Sequence, residues 1–597
     1  MSAPLHKVIT KILVPAGVAL AGSVLLAPMA LAQAPTREEI QRDRLDQQLR
    51  QRGQALSIEG QVERAPCPLA NPDFADLRFT LREAQFSGLD SLPAGVVDDA
   101  WRGQVGQELP VAAVCEIRDR AATALRQAGY LAAVQVPAQT IGDGVVRFDV
   151  ILARMTGVQV RGDPGPSGGQ LQKYLDKLAG QPVFNIQDAE RYLLLARDIP
   201  GLDVRLTLQP APRGAGAQPG EVIGVFNVQR TAFYLDASVQ NYGSRSVGRF
   251  GGMLRARFNG LTGAGDETTL SAYTTAEFKE QQVIQASHEF RVGGEGLTLG
   301  LDGTYAWSKP DVPGPNLFDS ETLIASIRAT YPFVRSQAFN LYGSAGFDLI
   351  DQDTDFSGLP LSTDSLRVGW IRADLSVIDE DSILGRDGYS AAEPRLAFGA
   401  SLEARQGLSV FGASEGCGVA FVNCTAPGAI PPSRFDGDPT SFILRGEAQM
   451  DWRPTPLVKF TLRPRFQYSG DALFSYEQFS GGNYTVGRGY DPGTVIGDSG
   501  IGIQGEIAYG SLIPDEGRAI AWQPYAFVDH IRVWTKNIPG DPQTLTSAGA
   551  GLRATIGRRA YLDVTGTVPL ERPPFALTRG DARLLATLTV QLAPNNR

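Results

Sequence analysis

Residues 441–453 read SFILRGEAQMDWR. Side chains alternate along an extended backbone, so Phe442, Leu444, Gly446, Ala448, Met450 and Trp452 share one face, while Arg445, Glu447, Gln449, Asp451 and Arg453 share the other. The next segment repeats the pattern: Val458, Phe460, Leu462, Phe466 and Tyr468 oppose Lys459, Thr461, Arg463, Arg465 and Gln467. One face suits hydrocarbon and the other suits water. Strands of a soluble sandwich alternate too, but long strands that end in Tyr or Trp, apolar outside and polar inside, are the pattern of a membrane barrel.

From Thr231 onward, segments of about ten residues repeat this alternation between Gly, Asp, Pro and Ser turns; roughly sixteen fit, an even number as bacterial barrels require. The predicted fold is a membrane all-β barrel of about 16 antiparallel strands over residues 230–597, wide enough for a water-filled lumen. The longest interruptions, 407–440 and 470–497, read as external loops.

The bulk numbers agree with that class. Counts of Gly 67 and Pro 39, with 43% hydrophobic residues, fit turn-rich β structure in a chain long enough for several domains. A formal charge of −9 makes nucleic acid an improbable partner. Only His6, His288 and His530 occur, none at metal-ligand spacing from another or from a Cys pair, so neither metal nor cofactor is expected. The two later histidines read as lumen or loop residues.

Residues 1–32 carry His6, Lys7 and Lys11 ahead of an apolar run that closes on Ala30-Leu31-Ala32, the signature of a cleaved signal peptide. Its rival is an uncleaved membrane helix, which Pro15 and the small-residue ending disfavour. On an exported chain, Cys67, Cys115, Cys417 and Cys424 form an even set that can be oxidised. Pairing by segment joins Cys67 to Cys115 and Cys417 to Cys424, although three connectivities are open.

Within the leader, residues 33–54, the stretch 36–53 consists of strong helix formers, with a capping box at Thr36 and Glu39 and a closing glycine. Such a polar helix either floats in solvent or sits in a wet cavity. At about 27 Å it matches a barrel's apolar band of about 25 Å and could serve as a plug. After a Pro-containing linker, 55–76, two segments repeat the order strand, helix, helix, strand, strand: 77–153 and 154–229. In the first, 96–109 and 111–129 read as the helices; in the second, 171–178 and 186–197 do. Both are α+β modules of ordinary small-domain size.

The second long loop holds GGNYTVGRGYDPG, centred on Arg488, Gly489 and Tyr490, and is followed by a strand containing Glu506 and then by FVDHI, 527–531. This order resembles the two-partner secretion transporters, the family that exports haemolysins and filamentous haemagglutinins, within the superfamily of barrels with polypeptide-transport-associated (POTRA) domains. The resemblance spans nearly the whole mature chain, including GYLAAVQVPAQTIGDGVV in the first module and ARDIPGLDVRLTLQP in the second. It implies a Val-Arg-Gly-Phe/Tyr loop folded into the lumen, its Arg touching the Asp of a Phe-x-Asp-x-Gly strand; Arg488, Gly489, Tyr490, Phe527 and Asp529 match those positions. Gly487 intervenes before Arg488, Ile531 replaces the family's Gly and is expected to crowd the lumen wall, and PNNR ends the chain instead of an aromatic residue, leaving Leu592 as a substitute signal for assembly.

The expectation is a non-enzymatic pore of the outer membrane, with its modules in the periplasm. It would be a monomeric barrel in contact with lipid and lipopolysaccharide, passing an unfolded exoprotein from periplasm to outside. The modules would dock that partner on exposed sheet edges, 132–136 or 202–208. An insertase of the same superfamily is the alternative reading, and a passive porin a weaker one. Gly497-Asp498-Ser499-Gly500 resembles a serine-protease nucleophile segment, but a triad is defined by geometry, and His530 is the base within reach along the sequence.

Overall fold

The computed structural model describes residues 35–41, 58–59, 69, 74, 76–179, 181–212, 218–311, 318–514, 519–538, 542–557, 559–574 and 576–594. The signal segment, most of the leader helix and Cys67 lie outside these residues. The leader contributes helix α1 (Arg37–Ile40), where the Thr36 hydroxyl accepts from Glu39 N and the Glu39 carboxylate accepts from Thr36 N, the reciprocal cap its sequence encodes. The linker contributes a two-residue strand, β1 (Ile58–Glu59).

The first module runs β2 (Arg78–Thr80), β3 (Glu83–Ser87), β4 (Glu108–Pro110), α2 (Ala113–Gln127), β5 (Ala132–Gln135) and β6 (Val145–Leu152). Helix α2 buries Val114, Ile117, Ala121 and Leu125, a three-to-four spacing, against Val146 and Phe148. Residues 96–109, expected as a helix, form instead two 3-10 turns and strand β4, which pairs with β2. Gly103 and Gly106 explain the difference: glycine costs about 1 kcal/mol in a helix interior, and Gly106 takes a φ of +79° that ends any helix there.

The second module runs β7 (Arg154–Arg161), α3 (Gly168–Leu175), α4 (Ile186–Arg197), β8 (Leu202–Pro210) and β9 (Glu221–Arg230). Asn185 caps α4 by accepting from Gln187 N, and Leu193 and Ala196 pack with Met155 and Phe226 in the module core. Its sheet has the order β1-β8-β9-β7. The edge at 202–208, expected to be open, is therefore partly covered by the chain's own linker.

Sixteen antiparallel strands close the barrel. The first eight are β10 (Phe233–Gln240), β11 (Gly251–Asn259), β12 (Glu267–Thr275), β13 (Gln281–Val292), β14 (Leu297–Ser308), β15 (Phe318–Arg335), β16 (Phe339–Phe356) and β17 (Leu359–Ile378). Then come β18 (Leu396–Gly407), β19 (Phe442–Thr455) and β20 (Val458–Ser469). A lumen hairpin, β21 (Phe479–Gly481) and β22 (Val495–Gly497), precedes β23 (Ser499–Tyr509), β24 (Ile520–Trp534), β25 (Gln543–Ile556), β26 (Ala560–Pro569) and β27 (Arg583–Ala593). Antiparallel pairing of β10 with β27 closes the ladder, so no edge faces lipid.

The deciding segment behaves as its alternation requires: Phe442, Met450 and Trp452 are exposed outside, whereas Arg445 and Arg453 are buried inside. His530 breaks with expectation. It shares the outward parity of Val528 on β24, as His288 shares that of exposed Ile284 on β13. Each imidazole finds a threonine hydroxyl on the neighbouring strand, His530 with Thr546 at 2.8 Å and His288 with Thr268 at 2.9 Å.

The second module is held against one end of the barrel. Arg335 donates to both Asp198 carboxylate oxygens at 2.7 and 2.8 Å, and Gln337 N donates to Glu190 at 2.9 Å. Lys177 donates to Glu295 at 2.8 Å, and this bond holds the Glu295 carboxyl below its ordinary range.

Candidate functional site

At the far end, residues 470–497 turn back into the lumen instead of standing outside: Leu473, Phe474, Tyr476 and Phe479 are all buried. Glu477 pins the descending limb, accepting from Arg405 on β18 at 2.7 Å and from Arg445 on β19. The loop tip then reaches the wall at β24. Arg488 donates through Nε and Nη2 to Asp529 at 2.9 and 2.7 Å, and its main-chain N donates to the same carboxylate at 3.0 Å. The guanidinium lies 3.5 Å from the Phe527 ring centre, a geometry that a planar cation favours.

Gly487 takes a φ of +113°, a region closed to most L residues. The intervening glycine thus supplies the bend that turns both the N–H and the side chain of Arg488 toward Asp529. Gly489 passes so close to Ser547 and Pro569 that a Cβ would lie 2.8 Å from the Ser547 Cβ. Tyr490 accepts at its hydroxyl from Glu571 N at 3.0 Å and lies 2.7 Å from the Thr546 carbonyl, tying the tip to β25 and to the last loop. Ile531 fills the space beneath the hairpin with Phe479, Val486, Tyr490, Val495, Val533 and Leu545. Leu592 is exposed on the outer face of β27.

The pair extends into a chain of charges that the sequence motif does not display. Arg488 also donates to Glu506 on β23 at 3.2 Å, and Glu506 accepts from Arg553 on β25 at 2.9 Å. Arg553 donates to Asp563 on β26 at 3.1 Å, and Tyr525 donates to Asp563 at 2.7 Å. Arg553 stacks over the Tyr525 ring at 3.8 Å as Arg488 does over Phe527. Parity alone places Glu506, Tyr525, Arg553 and Asp563 in the lumen; only the register of β23 to β26 makes them neighbours.

The leader also lies within the lumen where it is described. Glu38 accepts from Arg465 on β20 at 3.0 Å and from Ser480 of the folded-in loop at 2.8 Å. Arg465 in turn covers the Phe479 ring at 4.7 Å. Ile40, the apolar residue of the first turn, packs among Tyr273, Ile324, Leu366, Phe474 and Tyr476.

Asp498 of the Gly-Asp-Ser-Gly segment is fully buried and joins three loops. It accepts from Arg434 at 2.7 Å, Leu473 N at 2.9 Å and Lys536 N at 2.7 Å. The Ser499 hydroxyl bonds to the main chain of Ser469, while His530 points outward, so the two are not brought together. Cys417 and Cys424 form a disulfide within the preceding loop; Cys115 is disulfide-bonded. Breaking a buried pair costs about 3–5 kcal/mol, and proteolysis follows the population of the open form. In Asp498→Ala, trypsin added to intact cells is therefore expected to cut at Arg434 and Lys536 at least about tenfold faster; unchanged cleavage would show that Asp498 does not hold the rim.

A closed sixteen-stranded barrel with two attached α+β modules and a loop locked inside its lumen defines a barrel of the POTRA class. The model of the haemolysin secretion/activation protein family ShlB/FhaC/HecB matches residues 220–554, and that of the ShlB-type POTRA domain matches 79–152. The chain belongs to this family, an outer-membrane barrel with periplasmic POTRA domains.

CdiB from Escherichia coli superposes with a TM-score of 0.67 at 18% identity, covering 92% of this chain and 97% of that one. CdiB from Acinetobacter baumannii gives 0.60 at 17%, covering 95% and 98%. BamA from Haemophilus ducreyi lacking POTRA domains 1–3 gives 0.50 at 12%, covering 86% and 100%. Among curated proteins, the heme/hemopexin transporter protein HuxB of Haemophilus influenzae (strain 86-028NP) is 24% identical over 291 residues. That match takes in 46% of this chain and 48% of the relative, so this chain spans about half the length of the curated relative it matches.

Proposed function

We propose that this protein is a non-enzymatic, monomeric pore that exports an unfolded partner exoprotein from the periplasm to the outside, its outer face in contact with lipid and lipopolysaccharide. The observation that carries this reading is the double closure of the lumen, by the leader at Glu38 and by the loop at Arg488. A passive porin has no use for either, nor for two modules. The insertase alternative shares the barrel plan, and BamA superposes less well than either CdiB.

The first module would capture the partner. Its sheet runs β3-β6-β5, and β5 pairs only with β6 among the described residues, so one side of Ala132–Gln135 offers unpaired main-chain groups to an extended segment. Deletion of residues 79–153 is expected to abolish export while the barrel still inserts, read as exoprotein in the medium and heat-modifiable gel mobility. Export at the parental level would refute docking by this module.

A further inference from the structure

We propose that Arg532 and His530 form, on the lipid-facing surface of β24, a binding site for a phosphate group of lipopolysaccharide in the outer leaflet. This deepens the reading of the outer face given above and rests on it. Strand β24 alternates over its upper half: Val528, His530, Arg532 and Trp534 are exposed on the outside, while Asp529, Ile531 and Val533 are buried. Trp522, near the other end, is exposed on the same face. The interval from Trp522 to Trp534, at about 3.4 Å per residue on a strand tilted by about 40°, covers roughly 30 Å of height, an apolar band with an aromatic residue at each border. Trp534 marks the outer border, because its carbonyl accepts from Asp498 N among the loops at the end away from the second module. Arg532 stands about 5 Å below that border and His530 about 10 Å below it, where lipid phosphates meet acyl chains.

An arginine at this depth needs an anion, since a cation on the lipid face is disfavoured increasingly with distance from the border. Arg367, which also has outward parity, is paired with Asp351 at 2.9 Å. Among the described residues, no carboxylate lies within ion-pair distance of Arg532, and its guanidinium reaches up to lie 5.4 Å from the Trp534 ring. The imidazole beneath is oriented by its neighbours. Thr546 donates its one hydroxyl proton to Glu571 at 2.8 Å, so it accepts from His530 Nδ1. That leaves Nε2 as the ring nitrogen for a ligand, and it donates when the ring carries both protons.

Register supplies the walls. Ile501 and Thr544 flank Arg532, and Ile503 and Thr546 flank His530; Ile501, Ile503 and Val528 are all exposed. The ligand is therefore an amphiphile whose phosphate meets the guanidinium and whose acyl chains descend over these three side chains. A phosphate monoester carries about −1.5 to −2 charges near pH 7, which suits a guanidinium with an imidazole below it better than a singly charged phosphodiester does. Lipopolysaccharide offers such monoesters at the base of its sugar headgroup, whereas the common phospholipids offer diesters.

Native mass spectrometry of the full-length protein in detergent tests the site by titration with three lipids: lipid A bearing its phosphates, lipid A stripped of them, and phosphatidylglycerol. The parent is expected to bind phosphorylated lipid A at least about tenfold more tightly than either of the others, the scale of hydrogen bonds to charged groups. Arg532→Leu with His530→Leu introduces side chains that suit lipid and is expected to lose this preference while keeping the heat-modifiable mobility of the parent. If the double variant keeps the preference, or the parent binds stripped lipid A or phosphatidylglycerol as well as the phosphorylated form, the site is overturned and Arg532 only reaches for interfacial water. Failure of the underlying reading would look different: a parent that binds none of the three lipids would refute lipid contact by the outer face itself.

Discussion

Arg488→Ala and Asp529→Ala are each expected to reduce export at least about tenfold while leaving the barrel assembled, because removing one partner of a shielded pair can cost about 3–5 kcal/mol, with 1.4 kcal/mol per factor of ten. Asp529 is fully buried, and Arg488 supplies it with two side-chain bonds and one from the main chain. Without the guanidinium it keeps only the N–H, and the loop tip loses its hold on the wall. The barrel itself is secured by a closed ladder that neither residue's side chain joins. Arg488→Lys is expected to rescue little: an ammonium has neither the two-pronged geometry nor the flat face that lies on Phe527. The double alanine variant should be no worse than either single one, as expected for residues in direct contact. Exoprotein in the medium measures the first quantity and heat-modifiable mobility the second. Single defects that multiply in the double variant would mean that the residues act separately.

What could be read from the sequence depended on how local the determinant was. Alternation in 441–453 gave the faces of β19 because the period of a strand is a property of the strand alone. Helix α4 was equally plain, since Asn185 and the spacing of Ala189, Leu193 and Ala196 are contiguous. A helix over 96–109 is not formed because Gly103 and Gly106 leave short turns and let Glu108–Pro110 pair with Arg78–Thr80. His530 faces outward because it has the opposite parity to inward Asp529 on the same strand, which the expectation of a lumen or loop position overlooks.

The Arg488–Glu506–Arg553–Asp563 chain had no local signature. Every lumen face is rich in charges, and which of them meet is fixed by register between strands far apart in sequence. The same limit hid β1. Two extended residues in a linker carry no period to count, and their partner, β8, lies about 150 residues onward. The role of Asp498 is not legible in its motif: the chemistry of a protease segment is a serine with a base, whereas here the aspartate gathers Arg434, Leu473 and Lys536 from three loops.

The leader provides the other large effect. A lumen bounded by sixteen strands is wide enough for water, so conductance reports directly on what fills it. Deleting residues 36–53 is expected to raise the open-channel current in planar bilayers severalfold, since this removes Ile40 from its apolar niche and Glu38 from Arg465 and Ser480. A point change should act in the same direction but less. In Glu38→Ala the Arg465 guanidinium loses its carboxylate but keeps the Phe479 ring, and Ile40 still packs, so brief openings should become more frequent without a permanently open state. Glu38→Lys sets two cations face to face and should exceed the alanine variant, and adding Arg465→Glu should bring the openings back toward the parent. That reversal separates loss of the specific ion pair from a general loosening of the lumen. Currents and fluctuations unchanged by the deletion would show that the leader does not obstruct the pore.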